Sequence, residues 1–225
     1  MKFPADKKFL KNIPVVDIAE EGKGIGKSEE MVIFIDKAVP GDLVDVEVMK
    51  RKKKFYEARI QQIVKPSEHR TEPFCIHFGA CGGCKWQHMN YDAQLIFKQK
   101  SVTDALQRLA KVDVSGIETI LPSVATRYYR NKLEYTFSDK RWLTDQDMAN
   151  RDEESMELNA LGYHIPGRFD KILDIVHCHL QADPSNDIRN SVRAYALEQG
   201  MSFYDLRNHQ GVLRNLIIRN STTGE

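Results

Sequence analysis

Long apolar runs are missing from this sequence: nothing in the 225 residues approaches the roughly 18 consecutive apolar positions that a membrane-spanning helix needs. The opening MKFPADKKFLKN lacks the apolar stretch of a secretion signal, so a cytoplasmic protein without a membrane partner is expected. An excess of either charge is missing too. With 33 Lys+Arg against 32 Asp+Glu, the net charge of +1 gives no whole-chain argument for a polyanionic partner. Cysteine is confined to four positions, and no internal repeat or low-complexity tract interrupts the chain. The hydrophobic content of 41% is high enough to exclude disorder throughout.

The balanced charge hides a local imbalance. Residues 1–70 are net basic, whereas residues 139–160 carry three Lys+Arg against seven Asp+Glu, so a polyanion would meet the N-terminal part. That part reads as short alternating runs: VVDI, then the glycine-rich EEGKGIGK, then MVIFI, a Pro40-Gly41-Asp42 turn, LVDVEVM and a last strand over residues 55–64. Val44, Val46 and Val48 share one face at period two. About five strands without a helix predict a small closed barrel, because closure removes exposed edges. The glycines at 22, 24 and 26 do not have the spacing of a dinucleotide loop and read as a bend in the sheet.

Beyond the linker 66–73 comes CIHFGACGGCKWQHMNY, then an amphipathic helix over residues 92–110 with Asn90 as cap and Leu95, Val102, Leu106 and Leu109 inward. Strand patterns follow in YYRNKLEYTFS, LGYHI, KILDIVHCHL and VLRNLIIRN, with a solvated acidic stretch at 144–157. A second helix is expected after Pro184, capped by Ser185 or Asn186, with Ile188, Val192 and Tyr195 inward and Gly200 as its stop. The fold class is therefore mixed: a β-barrel over 1–66, a linker and cysteine segment over 67–90, and an α+β domain over 91–225. The last strand ends in turn residues without a hairpin partner, which reads as a truncated domain.

Cys75, Cys81, Cys84 and Cys178 carry the chemistry. Without a secretion signal, a C-x5-C-x2-C run plus a distant fourth thiol points to metal or catalysis rather than disulfides. Four thiolates suit tetrahedral zinc or a cubane iron–sulfur cluster, and the single C-x2-C pair favours the cluster because zinc sites commonly use two. A zinc set could instead recruit His77, His88, His177 or His179 in place of Cys178. Two surfaces could hold nucleic acid. One is the turn Arg51, Lys52, Lys53 and Lys54 with Phe55 and Tyr56 beside it; the other surrounds Tyr128, Tyr129, Arg130 and Lys132. The bland alternative for each is a solvated turn or a strand start with charged flanks.

The run IAEEGKGIGK, with VIFI and VPGD behind it, resembles the TRAM domain, an oligonucleotide-binding-like barrel of RNA-modifying enzymes. CIHFGACGGCKWQHMNYDAQLIFKQ is similar to the iron–sulfur segment of bacterial RNA 5-methyluridine methyltransferases that modify 23S ribosomal RNA, and YYRNKLEYTFS with LGYHIPGRFDKILDIVHCHL is similar to their central domain. The resemblance implies a 4Fe-4S cluster held by Cys75, Cys81, Cys84 and Cys178, RNA (ribosomal) as partner, and a monomer. It also implies that the S-adenosylmethionine (SAM) site and the catalytic cysteine lie in a further domain, so these 225 residues hold no catalytic residue. A stand-alone zinc-dependent RNA-binding module and an iron–sulfur electron carrier are the alternatives.

Overall fold

The computed structural model describes residues 8–19, 21–28, 31–149, 156–221 and 223. Part of the acidic stretch, residues 150–155, lies outside them. Five strands form the first element group: β1 (Phe9–Ile18), β2 (Gly24–Lys27), β3 (Val32–Asp36), β4 (Leu43–Arg51) and β5 (Phe55–Lys65). They close into a barrel in the order β1-β2-β3-β5-β4, with every pairing antiparallel except β3 with β5. Its core is aliphatic, built from Ile13, Val15, Ile33, Ile35, Ala38, Val44, Val46 and Ala58. The valine alternation on β4 thus faces inward as its period requires. The glycine run supplies β2, and closure needs it: a Cβ on Gly24 would stand 2.7 Å from the Ala38 Cβ and 2.9 Å from its carbonyl oxygen.

Two compact units divide the chain, one made of residues 1–74 and 85–123, the other of residues 75–84 and 124–225. Within the first, Asp42 is buried and gathers the chain that leaves the barrel. Its carboxylate accepts from the backbone N–H of Val39 and Ser67 and pairs with the Arg70 guanidinium through two contacts of 2.7 Å. Helix α1 (Tyr91–Ala105) belongs to this unit, and Asn90 caps it by accepting from the Ala93 N–H at 2.9 Å. The inward stripe differs from expectation. Ala93 and Phe97, one turn apart, pack with Ile18, Val39, Met89 and Trp86, whereas Val102 and Leu109 are exposed. The small Ala93 lets the helix approach Met89 closely, which a leucine-based count of periodicity does not register. The helix continues through a π turn, Leu106–Ala110, and stops at Lys111 in the left-handed region.

The second unit is built on a four-stranded sheet of order β8-β7-β6-β9, comprising β6 (Lys132–Ser138), β7 (Ala160–Ile165), β8 (Arg168–Asp174) and β9 (Asn215–Arg219). A short helix α2 (Asp145–Ala149) follows β6, and helix α3 (Ser185–Glu198) precedes β9. Leu133, Tyr135 and Phe137 on β6 join Leu161, Leu173 and Ile218 in the core, and α3 packs onto it through Val192, Ala196 and Leu197. Here too the helix face is rotated from the expected one: Ile188 and Tyr195 are exposed and Arg189 is fully buried. Arg189 donates to the Val176 carbonyl (2.7 Å), Asn186 Oδ1 (2.9 Å) and Tyr135 Oη (3.3 Å). Those bonds also explain why β8 ends at Asp174 rather than running to Leu180. The backbone of 176 and 178 bonds to side chains of α3 instead of a neighbouring strand. The helix ends at Gly200, whose φ of +60° suits glycine.

Candidate metal centre and nucleic-acid interface

The decapeptide 75–84 groups with the second unit, so all four cysteines belong to one compact body. Its turns are local: the Cys81 N–H donates to the His77 carbonyl at 2.9 Å and the Phe78 N–H to the Cys75 carbonyl at 3.0 Å. Two contacts fasten it to the sheet. The Val176 N–H donates to His77 Nε2 at 3.2 Å, and Gly82 lies so close to the His164 carbonyl oxygen that a Cβ there would approach it to 2.7 Å. Only glycine fits at that contact. Burial pushes His77 below the usual imidazole range, which suits a ring nitrogen that accepts.

Cys178 comes from the opposite side, after β8, and Asn186 at the start of α3 clamps it: Oδ1 accepts from the Cys178 N–H at 2.8 Å and Nδ2 donates to its carbonyl at 3.3 Å. Asn186, expected as a helix cap, is a positioning residue for a cysteine. Cys81 and Cys84 pack on the core that contains Cys178. The four thiols also act on one another. Burial pushes Cys81 up to about 11, against the 3.3 Å Gly83 N–H···Sγ bond, and Cys84, Cys178 and Cys75 push it the same way. Burial, followed by Cys84 and Cys178, raises Cys75 as well.

None of the four forms a disulfide. Among the described residues no group of three or more His, Cys, Asp or Glu side chains is arranged to hold a metal ion. One further feature tests whether a larger group fits. The Tyr163 hydroxyl is buried beside Tyr135 and Cys178, and burial, followed by these two groups, raises its pKa. A thiolate or cluster sulfur at Cys178 would be an acceptor for that hydroxyl. Four thiols in one unit are donors of the kind that a cluster takes, and those of Cys75 and Cys81, raised by burial, would have to release their protons to bind it. Of the alternative histidines, His88 is buried in the first unit, and His177 and His179 flank Cys178. Trp86 packs in the first unit beside Met89.

The basic turn joins β4 to β5 in the first unit, with Lys52, Lys53 and Lys54 exposed. Its rings are engaged. Phe55 meets Phe34 edge-on at 5.2 Å, while Tyr56 packs on the barrel core, lies under the Arg51 guanidinium and accepts a 2.9 Å hydrogen bond from it. Three exposed lysines thereby stand at a turn whose flanking rings are fixed by contacts. Arg130 and Lys132 lie in the second unit, exposed at the start of β6, where the Arg130 N–H donates to the Leu180 carbonyl at 2.8 Å. No helix among the described residues is long and apolar enough to cross a membrane.

No family model matches the sequence. Curated relatives do. An uncharacterized RNA methyltransferase of Bacteroides thetaiotaomicron is 51% identical over 208 residues, covering 92% of this chain and 46% of that protein. One of Porphyromonas gingivalis is 48% identical over 215 residues, covering 94% and 46%, and one of Chlorobaculum tepidum is 36% identical, covering 95% and 44%. Among solved structures, the Pyrococcus abyssi tRNA (uracil-54, C5)-methyltransferase in complex with S-adenosyl-L-homocysteine matches with a TM-score of 0.62 at 23% identity, over 95% of this chain and 43% of that one. That likeness is one of fold. The chain is thus similar along nearly its whole length to proteins named RNA methyltransferases, and it spans about half the length of the curated relatives it matches.

Proposed function

We propose that these 225 residues are the RNA-gripping, cluster-bearing part of a SAM-dependent methyltransferase that acts on uridine C5, ribosomal RNA being its substrate. SAM and the catalytic nucleophile belong to the half of the relatives' length that the chain does not span. What supports this reading is that Cys75, Cys81, Cys84 and Cys178 all fall in the second unit, with Cys81 and Cys84 packed on the core that contains Cys178, in a chain whose relatives are named RNA methyltransferases. A cubane places one thiolate on each of four irons, so its ligands stand farther apart than those of a single tetrahedral zinc. When bound, the cluster supplies cross-linking of the 75–84 loop to the segment after β8, a structural rather than a redox role. In the first unit, Lys52, Lys53 and Lys54 neutralise phosphates without reading bases.

Purification without oxygen tests the centre. The expected protein is brown, absorbs near 400 nm and carries about four irons per chain; colourless protein with stoichiometric zinc would move the reading to the zinc module. Replacing Arg51, Lys52, Lys53 and Lys54 with Ala should weaken binding to ribosomal and transfer RNA fragments alike. The slope of log affinity against log salt should flatten by up to about 2.8 if all four touch phosphates of single-stranded RNA. The 225-residue chain alone is expected to transfer no methyl group from SAM to RNA, and any stoichiometric transfer overturns this assignment of the catalytic half.

A further inference from the structure

We infer that the second unit carries a base-stacking site of its own, a platform of Tyr128, His179 and His177 that receives an unpaired base of single-stranded RNA. The inference rests on the RNA-binding reading above and adds a site to it.

Three rings adjoin on one surface. The His177 and His179 centroids are 4.4 Å apart at 63°, those of Tyr128 and His179 are 5.9 Å apart at 53°, and the Tyr128 hydroxyl lies 3.1 Å from His179 Nδ1. Aromatic rings that merely fill a core are buried. Here Tyr128 remains 43% exposed and its neighbour Tyr129 55%, while the histidines are half-buried.

The backbone holds the array in place. The N–H groups of Tyr128 and Arg130 donate to the carbonyls of His179 and Leu180, each at 2.8 Å, and Arg130 bridges to Gln181. Residues 128–130 are therefore tied to 179–181 by two backbone hydrogen bonds and an isolated bridge. Tyr128 also sits at φ +56°, a conformation that bulky side chains rarely adopt. The fold thus presents a large exposed ring from a strained backbone, and a solvated loop would gain nothing from that arrangement.

Charge selects the ligand. Residues 124–132, VATRYYRNK, contain Arg127, Arg130 and Lys132, residues 175–182, IVHCHLQA, contain none of the acidic types, and neither segment holds an Asp or Glu. Flat rings beside cations without carboxylates match an unpaired nucleobase with its phosphates, because every base offers a π face and every linkage a negative charge. The basic turn of the first unit lacks this property, since its two rings are engaged by Phe34 and Arg51. Phosphate neutralisation and base stacking are then supplied by different units of the chain.

The test uses anaerobically purified protein and a single-stranded RNA 12-mer carrying one 2-aminopurine, read by fluorescence quenching and by anisotropy over a range of salt. Wild type is expected to quench the probe. Tyr128→Gly removes the ring at a backbone position that suits glycine, so folding is preserved. It should weaken binding by about 5- to 100-fold, abolish quenching and leave the salt slope unchanged. Tyr128→Phe keeps the ring and should bind within about twofold of wild type, and His179→Ala should behave like Tyr128→Gly wherever visible absorbance shows that the cysteine centre is intact. If Tyr128→Gly binds and quenches as wild type does while the Arg51, Lys52, Lys53 and Lys54 quadruple variant loses affinity, the platform is wrong and the RNA-binding reading stands. If wild type binds no single-stranded RNA, both fall.

Discussion

The two units solve the same problem of burial in different ways. The barrel closes on eight aliphatic side chains, and Asp42, the more deeply buried of its carboxylates Asp42 and Glu47, is matched by Arg70 and two backbone N–H groups. The second unit buries Arg189, Gln181, Ser185 and Asn186 together with the Cys178 thiol, with Cys75, Cys81 and Cys84 half-buried. An apolar core is complete once the strands meet. A polar core is complete only when each group finds its counterpart. On the proposed reading the counterpart around Cys178 is the cluster, so the barrel would be a self-sufficient scaffold and the second unit would depend on its centre.

The most severe way to break this comparison is to remove a ligand. Cys178→Ser and Cys81→Ser should each abolish the absorbance near 400 nm and the bound iron, although the two residues lie 97 positions apart. In hydrogen exchange followed by mass spectrometry, peptides from 75–84 and 124–225 should lose protection while β1 to β5 keep theirs. Equal loosening of both units would contradict a self-sufficient barrel. Next in size is Arg189→Leu. Stripped of the guanidinium, the Val176 carbonyl, Asn186 Oδ1 and Tyr135 Oη each lose a buried partner. A cost of about 3 kcal/mol is expected, read as a lowered denaturant midpoint for the second unit alone.

How much of this was legible beforehand follows the same division. Alternation is a local property, so the barrel strands, the inward valines of β4 and the glycine bend could be read directly from spacing. The Asn90 cap and the Gly200 stop are local in the same sense, each resting on one residue's backbone chemistry. Helix faces were misread where the inward residue was small or charged: Ala93 on α1 and Arg189 on α3 carry no hydrophobic signal, and only tertiary partners explain them. The cysteine set could be named from composition and spacing. The residues that aim it could not: His77 holds the Val176 N–H across 99 positions, and Asn186 holds Cys178 from a helix start that otherwise reads as a cap. The Tyr128–His177–His179 array joins two segments about 50 positions apart, a proximity that no periodicity encodes.

A milder perturbation sharpens the comparison from the barrel side. Ile33 is fully buried among aliphatic neighbours, and Ile33→Val removes one methylene group from that core. The expected loss is about 0.5 to 1.5 kcal/mol, confined to exchange in β1 to β5, with iron content and the protection of β6 to β9 unchanged. A change in visible absorbance in this variant would mean that the barrel core and the cysteine centre are energetically coupled.

The smallest effect concerns acid. Each unit has a carboxylate held below its usual range: Glu47 in the barrel, chiefly by hydrogen bonds from Lys8 and Arg59, and Asp205 in the second unit, chiefly by the 2.6 Å contact with Lys140. A group whose pKa is depressed by folding contributes stability above its unfolded value, near 4, and that contribution is lost as pH falls through the lower folded value. Below about pH 4, therefore, both units should weaken, and each carboxylate should account only for its own. Glu47→Gln should flatten the acid dependence of protection in β4 and β5 and leave that of β6 to β9 as it was, while Asp205→Asn should do the reverse. Because Lys8 and Arg59 are more than half exposed, solvent screening keeps the barrel effect small. Lys140 is only 26% exposed and Asp205 15%, so the flattening should be the larger of the two in the second unit. Added salt should shrink the Glu47 effect before the Asp205 effect. If both substitutions altered the acid response of both units equally, the two units would be unfolding as one.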